Sequence, residues 1–160
     1  MISFNIQQAH FTYRVAGVCV DDGAVLLNQT EGGNFWFLPG GRAEIMESSE
    51  VALRREMSEE LGAFGDLEIT RLLWVVENFF RHKGQLEHEL GFYYQVALRS
   101  QPALADKRRT FRSLDAGTTM LYHWFPLEAL DELALYPTFL KAGLRNLPTQ
   151  MQHIVHIDEE

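Results

Sequence analysis

Cysteine is almost missing from these 160 residues. Cys19 is the only one, so an intrachain disulfide is excluded, and a cystine-stapled scaffold with it. An excess of positive charge is missing too: 14 lysines and arginines face 22 aspartates and glutamates, a net charge of −8, which leaves no broad footprint for duplex nucleic acid. No apolar run approaches the length that crosses a bilayer, so no membrane partner is expected. The opening Met1-Ile2-Ser3-Phe4-Asn5 lacks the basic stretch and apolar run of a secretory leader, and the expectation is a soluble, cytoplasmic protein. Repeats and low-complexity tracts are also lacking. What is present is ordinary for a globular chain, 46% hydrophobic and 22% charged, enough for one domain over 1–160 with a real core.

Against that background the stretch from Gly41 to Ala63 stands out. A helix beginning near Ser48 or Ser49, with a serine as its N-cap, places Leu53, Met57 and Leu61 on one face at about 100° per residue. Ala52, Glu56, Glu59 and Glu60 then fall on the adjacent face, and Gly62 suits the end of the helix. The first face reads as a core stripe. Three carboxylates within one and a half turns repel one another unless a positive group sits among them, and oxygen-only donors select a hard cation such as Mg²⁺ or Mn²⁺. Mg²⁺ shares its remaining positions with water and substrate phosphates, so this helix reads as one half of a phosphate site.

The spacing matches a known pattern. Gly41, five residues, Glu47, seven residues, Arg55-Glu56, Met57, one residue, Glu59-Glu60, one residue, Gly62-Ala63 resembles the Nudix box at every position, with Ala63 smaller than the usual aliphatic residue. A chance match at any one start is on the order of one in a billion. Trp36-Phe37-Leu38-Pro39-Gly40-Gly41 resembles the strand and turn that precede such a box.

The resemblance implies a Nudix-type α/β/α sandwich with a mixed β-sheet. It also implies Mg²⁺- or Mn²⁺-dependent hydrolysis of a small-molecule nucleoside diphosphate derivative. By the same carry-over the metal ligands are Glu56, Glu59, Glu60 and the carbonyl of Gly40, while Arg55 orients Glu47 and the ligand carboxylates. Glu56 is the first choice of general base. Glu89, entering a long strand that could project toward the box helix, is second, and Glu77 third. Dimerisation is common in the family, and nothing in this sequence demonstrates a homodimer.

Two competitors fit the same fold. One is a Nudix-fold sensor that binds a nucleotide without cutting it, although such regulators usually carry damaged boxes. The other is an isopentenyl-diphosphate-isomerase-like enzyme, which needs a reactive cysteine, whereas Cys19 lies in an apolar strand far upstream of the box. Neither the proline associated with ADP-ribose members nor the tyrosine that marks dinucleoside polyphosphate members occurs near Val76-Glu77-Asn78-Phe79. Arg42 is placed to touch a phosphate, and the run Lys107-Arg108-Arg109 with Arg112 is basic against an acidic background.

Elsewhere, alternation and turn residues predict a hairpin of Phe11–Val20 with Ala24–Leu27, and a short strand Phe35–Leu38. Two long paired strands, Leu67–Phe80 and Leu90–Leu98, are predicted next. The polar stretch Arg99–Thr119 reads as a mobile loop with the composition of a lid, followed by a strand Leu121–Phe125. Helices are predicted over Leu127–Leu133 and Pro137–Leu147, and an edge strand over Gln152–Ile157.

Overall fold

The computed structural model describes residues 1–61, 67–98 and 102–159. Two sheets organise it. The larger has the order β1 (Ser3–Ile6), β2 (Ala9–Val18), β7 (Gln85–Leu98), β6 (Leu67–His82), β10 (Gln152–Ile157), with β5 (Gly40–Arg42) also paired to β2. It is mixed, because β2 runs parallel to β7 and β10 parallel to β6 while the other pairs are antiparallel. The smaller sheet has the order β3 (Val20–Asp21), β4 (Ala24–Thr30), β9 (Thr118–Pro126), β8 (Phe111–Asp115).

Apolar side chains leave both faces of the larger sheet and build two cores. Under the helix α1 (Ser49–Leu61), Leu53, Met57 and Leu61 pack with Val15, Val96 and Tyr122. Burial of such a side chain stabilises by roughly 1.5–3 kcal/mol. On the other side Ala16, Trp74, Val76 and Tyr93 pack with Leu130, Leu135, Leu140 and Leu144. The second helical layer is thin: a 3₁₀ turn over Leu127–Glu132 and the single turn α3 (Leu140–Gly143). The expected sandwich with a mixed sheet is present, and no helix among the described residues is long and apolar enough to cross a membrane.

Several local expectations are corrected. The strand expected over Phe11–Val20 breaks at Cys19, so β2 stays in the larger sheet and only Val20–Asp21 turns back on β4, through Asp22 and Gly23 at positive φ. Phe35–Leu38 makes isolated bridges rather than a strand, Trp36 to Leu135 and Phe37 to Asn28. The polar stretch read as a lid holds the short α2 (Pro102–Ala105) and the hairpin of β8 with β9, turned by Ala116 and Gly117 at positive φ; its residues 99–101 lie outside the described set, as does Gly62. The helix expected from Pro137 starts only at Leu140. The preceding residues are tied elsewhere, Tyr136 N–H to Trp36 and Thr138 N–H to Asp158.

Candidate active site

Four elements meet at the glycine turn. Strand β5 carries Gly40 and Gly41 against Ala16 and Val15 of β2. Helix α1 starts where Ser48 Oγ accepts the N–H of Val51 at 3.3 Å, which fixes the phase of its acidic face. The end of β4 brings Asn28, and β9 brings Tyr122 opposite it.

Arg55 is the hub of the exposed half. Its Nε and Nη2 donate to the two oxygens of Glu47, both at 2.9 Å, and its Nη1 donates to Glu56 Oε1 at 2.9 Å and to Glu59 Oε2 at 3.3 Å. Nη2 also reaches the Arg42 carbonyl at 3.0 Å, so one planar fork ties the loop, the turn and the helix together. Hydrogen bonding from Arg55 holds Glu47 below the usual carboxylate range, and Glu47 in turn pushes the guanidinium further up. Glu56 Oε1 also accepts the Arg42 N–H at 3.1 Å.

Glu60 belongs to a different environment. It is 4% exposed and accepts the Gly40 N–H at 3.2 Å. Burial pushes its carboxyl up to about 8, against the opposing pull of Arg14 and of the Gly40 amide. The Tyr122 hydroxyl lies near enough to influence it, yet the hydroxyl and both polar atoms of the Asn28 amide stay short of hydrogen-bond geometry. A buried carboxylate with so little compensation suits a cation, and the donors around the turn are all oxygen. Among the described residues no three acidic, histidine or cysteine side chains converge closely enough to hold a metal ion as they stand.

The other expected residues are distributed differently. Glu89 faces Thr12 and Asn78 across the sheet, in step with Tyr93 and therefore away from the face that α1 covers; the expected projection toward the box helix is corrected. Burial pushes its carboxyl up, opposed by Arg14 and Asn78. Glu77 bonds His153 at 2.8 Å. The basic run is engaged locally, Lys107 with Asp21, Arg108 with Asp106 and Arg112 with Glu31. Burial pushes the Cys19 thiol up to about 12, so it carries no thiolate near neutral pH and the isomerase-like reading loses its nucleophile.

Sequence reading missed Arg14, Asn28, Asn78 and Tyr122. Arg14 donates to the Leu38 carbonyl at 2.8 Å and is felt by both Glu60 and Glu89. The available signal was a lone arginine inside an apolar strand and an asparagine inside another.

The NUDIX domain model matches residues 10–146. No curated protein is similar enough to match. Among solved structures the chain is similar to a UDP-X diphosphatase, 20% identical with TM-score 0.59, over 89% of this chain and 66% of that one. It is similar to an ADP-ribose pyrophosphatase from Streptococcus suis, 17% identical with TM-score 0.54, over 92% and 98%. A MutT NUDIX hydrolase from Burkholderia pseudomallei is 25% identical with TM-score 0.52, over 74% and 84%. At these identities the likeness is one of fold.

Proposed function

Because the chain belongs to the NUDIX family and carries its hydrolase domain across residues 10–146, we propose that it is a metal-dependent pyrophosphohydrolase acting on a nucleoside diphosphate linked to a further moiety. The observation that carries this reading is the Arg55 fork. It gathers Glu47, Glu56 and Glu59 beside the glycine turn while Gly40 holds Glu60 from the other side.

Glu56, Glu59, Glu60 and the Gly40 carbonyl are the proposed ligands. When bound, Mg²⁺ or Mn²⁺ supplies positive charge for the phosphoryl oxygens and lowers the pKa of water. The chain's own groups do the rest. Glu56, steered by Arg55 and by the Arg42 N–H, takes the proton from the attacking water. Arg55 holds that carboxylate in register and keeps Glu47 ionised. Arg42, exposed at the turn, is placed to meet a phosphate oxygen.

Incubation with Mg²⁺ or Mn²⁺ and nucleoside triphosphates, nucleotide sugars, ADP-ribose, NAD-type dinucleotides or CoA is expected to release a monophosphate or pyrophosphate from at least one substrate. Binding without cleavage across that panel would instead make the protein a nucleotide sensor. Replacing Arg55 by lysine keeps the charge and loses the fork. The Mn²⁺ concentration for half-maximal rate should rise by about 10- to 100-fold, and an unchanged metal dependence would remove Arg55 from this role.

A further inference from the structure

Strand β4 buries an asparagine where its neighbours on the same face are apolar. Toward α1, the pairs across β4 and β9 run Leu26 with Trp124, Asn28 with Tyr122 and Thr30 with Met120, and Leu26, Met120, Tyr122 and Trp124 all belong to the core under that helix. Asn28 is 0% exposed and Tyr122 1%. Both are fixed. The Asn28 N–H donates to the Phe37 carbonyl at 2.8 Å and its own carbonyl accepts the Phe37 N–H at 3.0 Å, while the Tyr122 ring packs with Leu53 and Met57. What stays free to turn is the hydroxyl hydrogen, which rotates to suit its acceptor.

Stability does not account for this pair. The Tyr122 hydroxyl and both polar atoms of the Asn28 amide have no hydrogen-bond partner, and apolar residues of the same shape would avoid that cost. The third member of the corner is Glu60, whose carboxyl lies beside the hydroxyl just as the Asn28 amide does. Glu60 is the most buried of the three box glutamates, and its Oε2 already accepts the Gly40 N–H at 3.2 Å. A carboxylate that ligates a cation is itself held by hydrogen-bond donors from the protein. Tyr122 offers such a donor, and the Asn28 Nδ2 can donate in turn to the tyrosine oxygen.

We propose that Tyr122 is a positioning residue for Glu60, its hydroxyl donating to the carboxylate that ligates the cation, with the Asn28 amide donating to the hydroxyl oxygen and so fixing its direction. Strand register sets both side chains, so the donor stands ready without movement of the backbone. The inference deepens the hydrolase reading and rests on it for Glu60 as a ligand.

Titrating Mn²⁺ into the protein while following the electron paramagnetic resonance signal of the free ion reads the metal without any turnover. Tyr122→Phe keeps the ring and removes only the hydroxyl. Its Mn²⁺ dissociation constant is expected to rise by about 10-fold or more, the scale on which hydrogen bonds behind a metal ligand act. In urea the metal-free variant should unfold at or above the midpoint of the parent, because an unpartnered hydroxyl has left the core. A tyrosine that merely shapes the core gives the opposite, a lower midpoint with unchanged affinity. That result, a variant that does not fold, or a parent that binds no Mn²⁺ would each overturn the proposal. Weaker Mn²⁺ binding by the variant, with no nucleotide cleaved by the parent, would leave the proposal standing and sink the hydrolase reading. Cleavage by the parent with equal Mn²⁺ affinity in both proteins would do the reverse.

Discussion

Glu60→Gln is expected to lower the rate of pyrophosphate hydrolysis by about 100-fold or more while the metal-free protein becomes no less stable at pH 8. The two halves of that result have one cause. A glutamine keeps an oxygen for the Gly40 N–H, and its new amino group finds Tyr122 and Asn28, whose polar atoms are unpartnered in this buried corner. What it cannot supply is negative charge for a cation. The pH dependence follows from the sign of the shift. Burial raises the Glu60 carboxyl from 4.5 to about 8, so its stabilising contribution is complete below about 4.5 and disappears as pH rises through about 8. A group this buried accounts for a fall on the order of a few kcal/mol across that window. Thermal melts of the metal-free parent should therefore drop between pH 5 and 8 more steeply than those of the variant, and Mn²⁺ should restore the parent alone. Equal hydrolysis by parent and variant would reject Glu60 as a ligand.

Much of this site was legible because its members lie within 21 residues and one helix. Spacing alone fixes which faces Leu53, Met57 and the three glutamates occupy, and those faces are where the structure puts them, with Glu60 turned inward beside Leu61. The environment of Glu60 was not legible. Tyr122, beside it, lies on a strand of the other sheet opposite Asn28, a placement set by register between β4 and β9 rather than by local pattern. The same limit explains Glu89. Alternation states that neighbours in a strand face opposite ways, and only the pairing of Glu89 with Thr12 and Asn78 decides which way is toward α1. Charge hid the β8–β9 hairpin, where Phe111 and Leu114 are the only apolar residues of a five-residue strand. Pro137 misled in the opposite direction, since its preference for a first helical turn was overruled by the ties of Tyr136 and Thr138 to other elements.

The pair of glycines at the turn separates folding from chemistry, and substituting each by alanine is expected to give opposite phenotypes. Gly40 sits at φ 149°, and a Cβ there would overlap the Val15 carbonyl oxygen and lie 2.8 Å from the Ala16 Cα. Both obstacles are backbone of the strand to which β5 is paired, so neither can yield without opening that pairing. Gly40→Ala should lose on the order of 3 kcal/mol or more of stability, visible as a lowered unfolding midpoint in urea. At Gly41 the φ is unexceptional and the colliding atoms are the carboxyl group of Glu56, the far end of a flexible side chain. Gly41→Ala should keep the midpoint within about 1 kcal/mol of the parent, because an extended residue tolerates a methyl group. It should nonetheless lose hydrolysis by about 100-fold or more, since Glu56 must leave the Arg42 N–H and Arg55 to make room. An active Gly41→Ala protein would show that Glu56 need not stand over the turn, and the proposed base would have to be sought elsewhere.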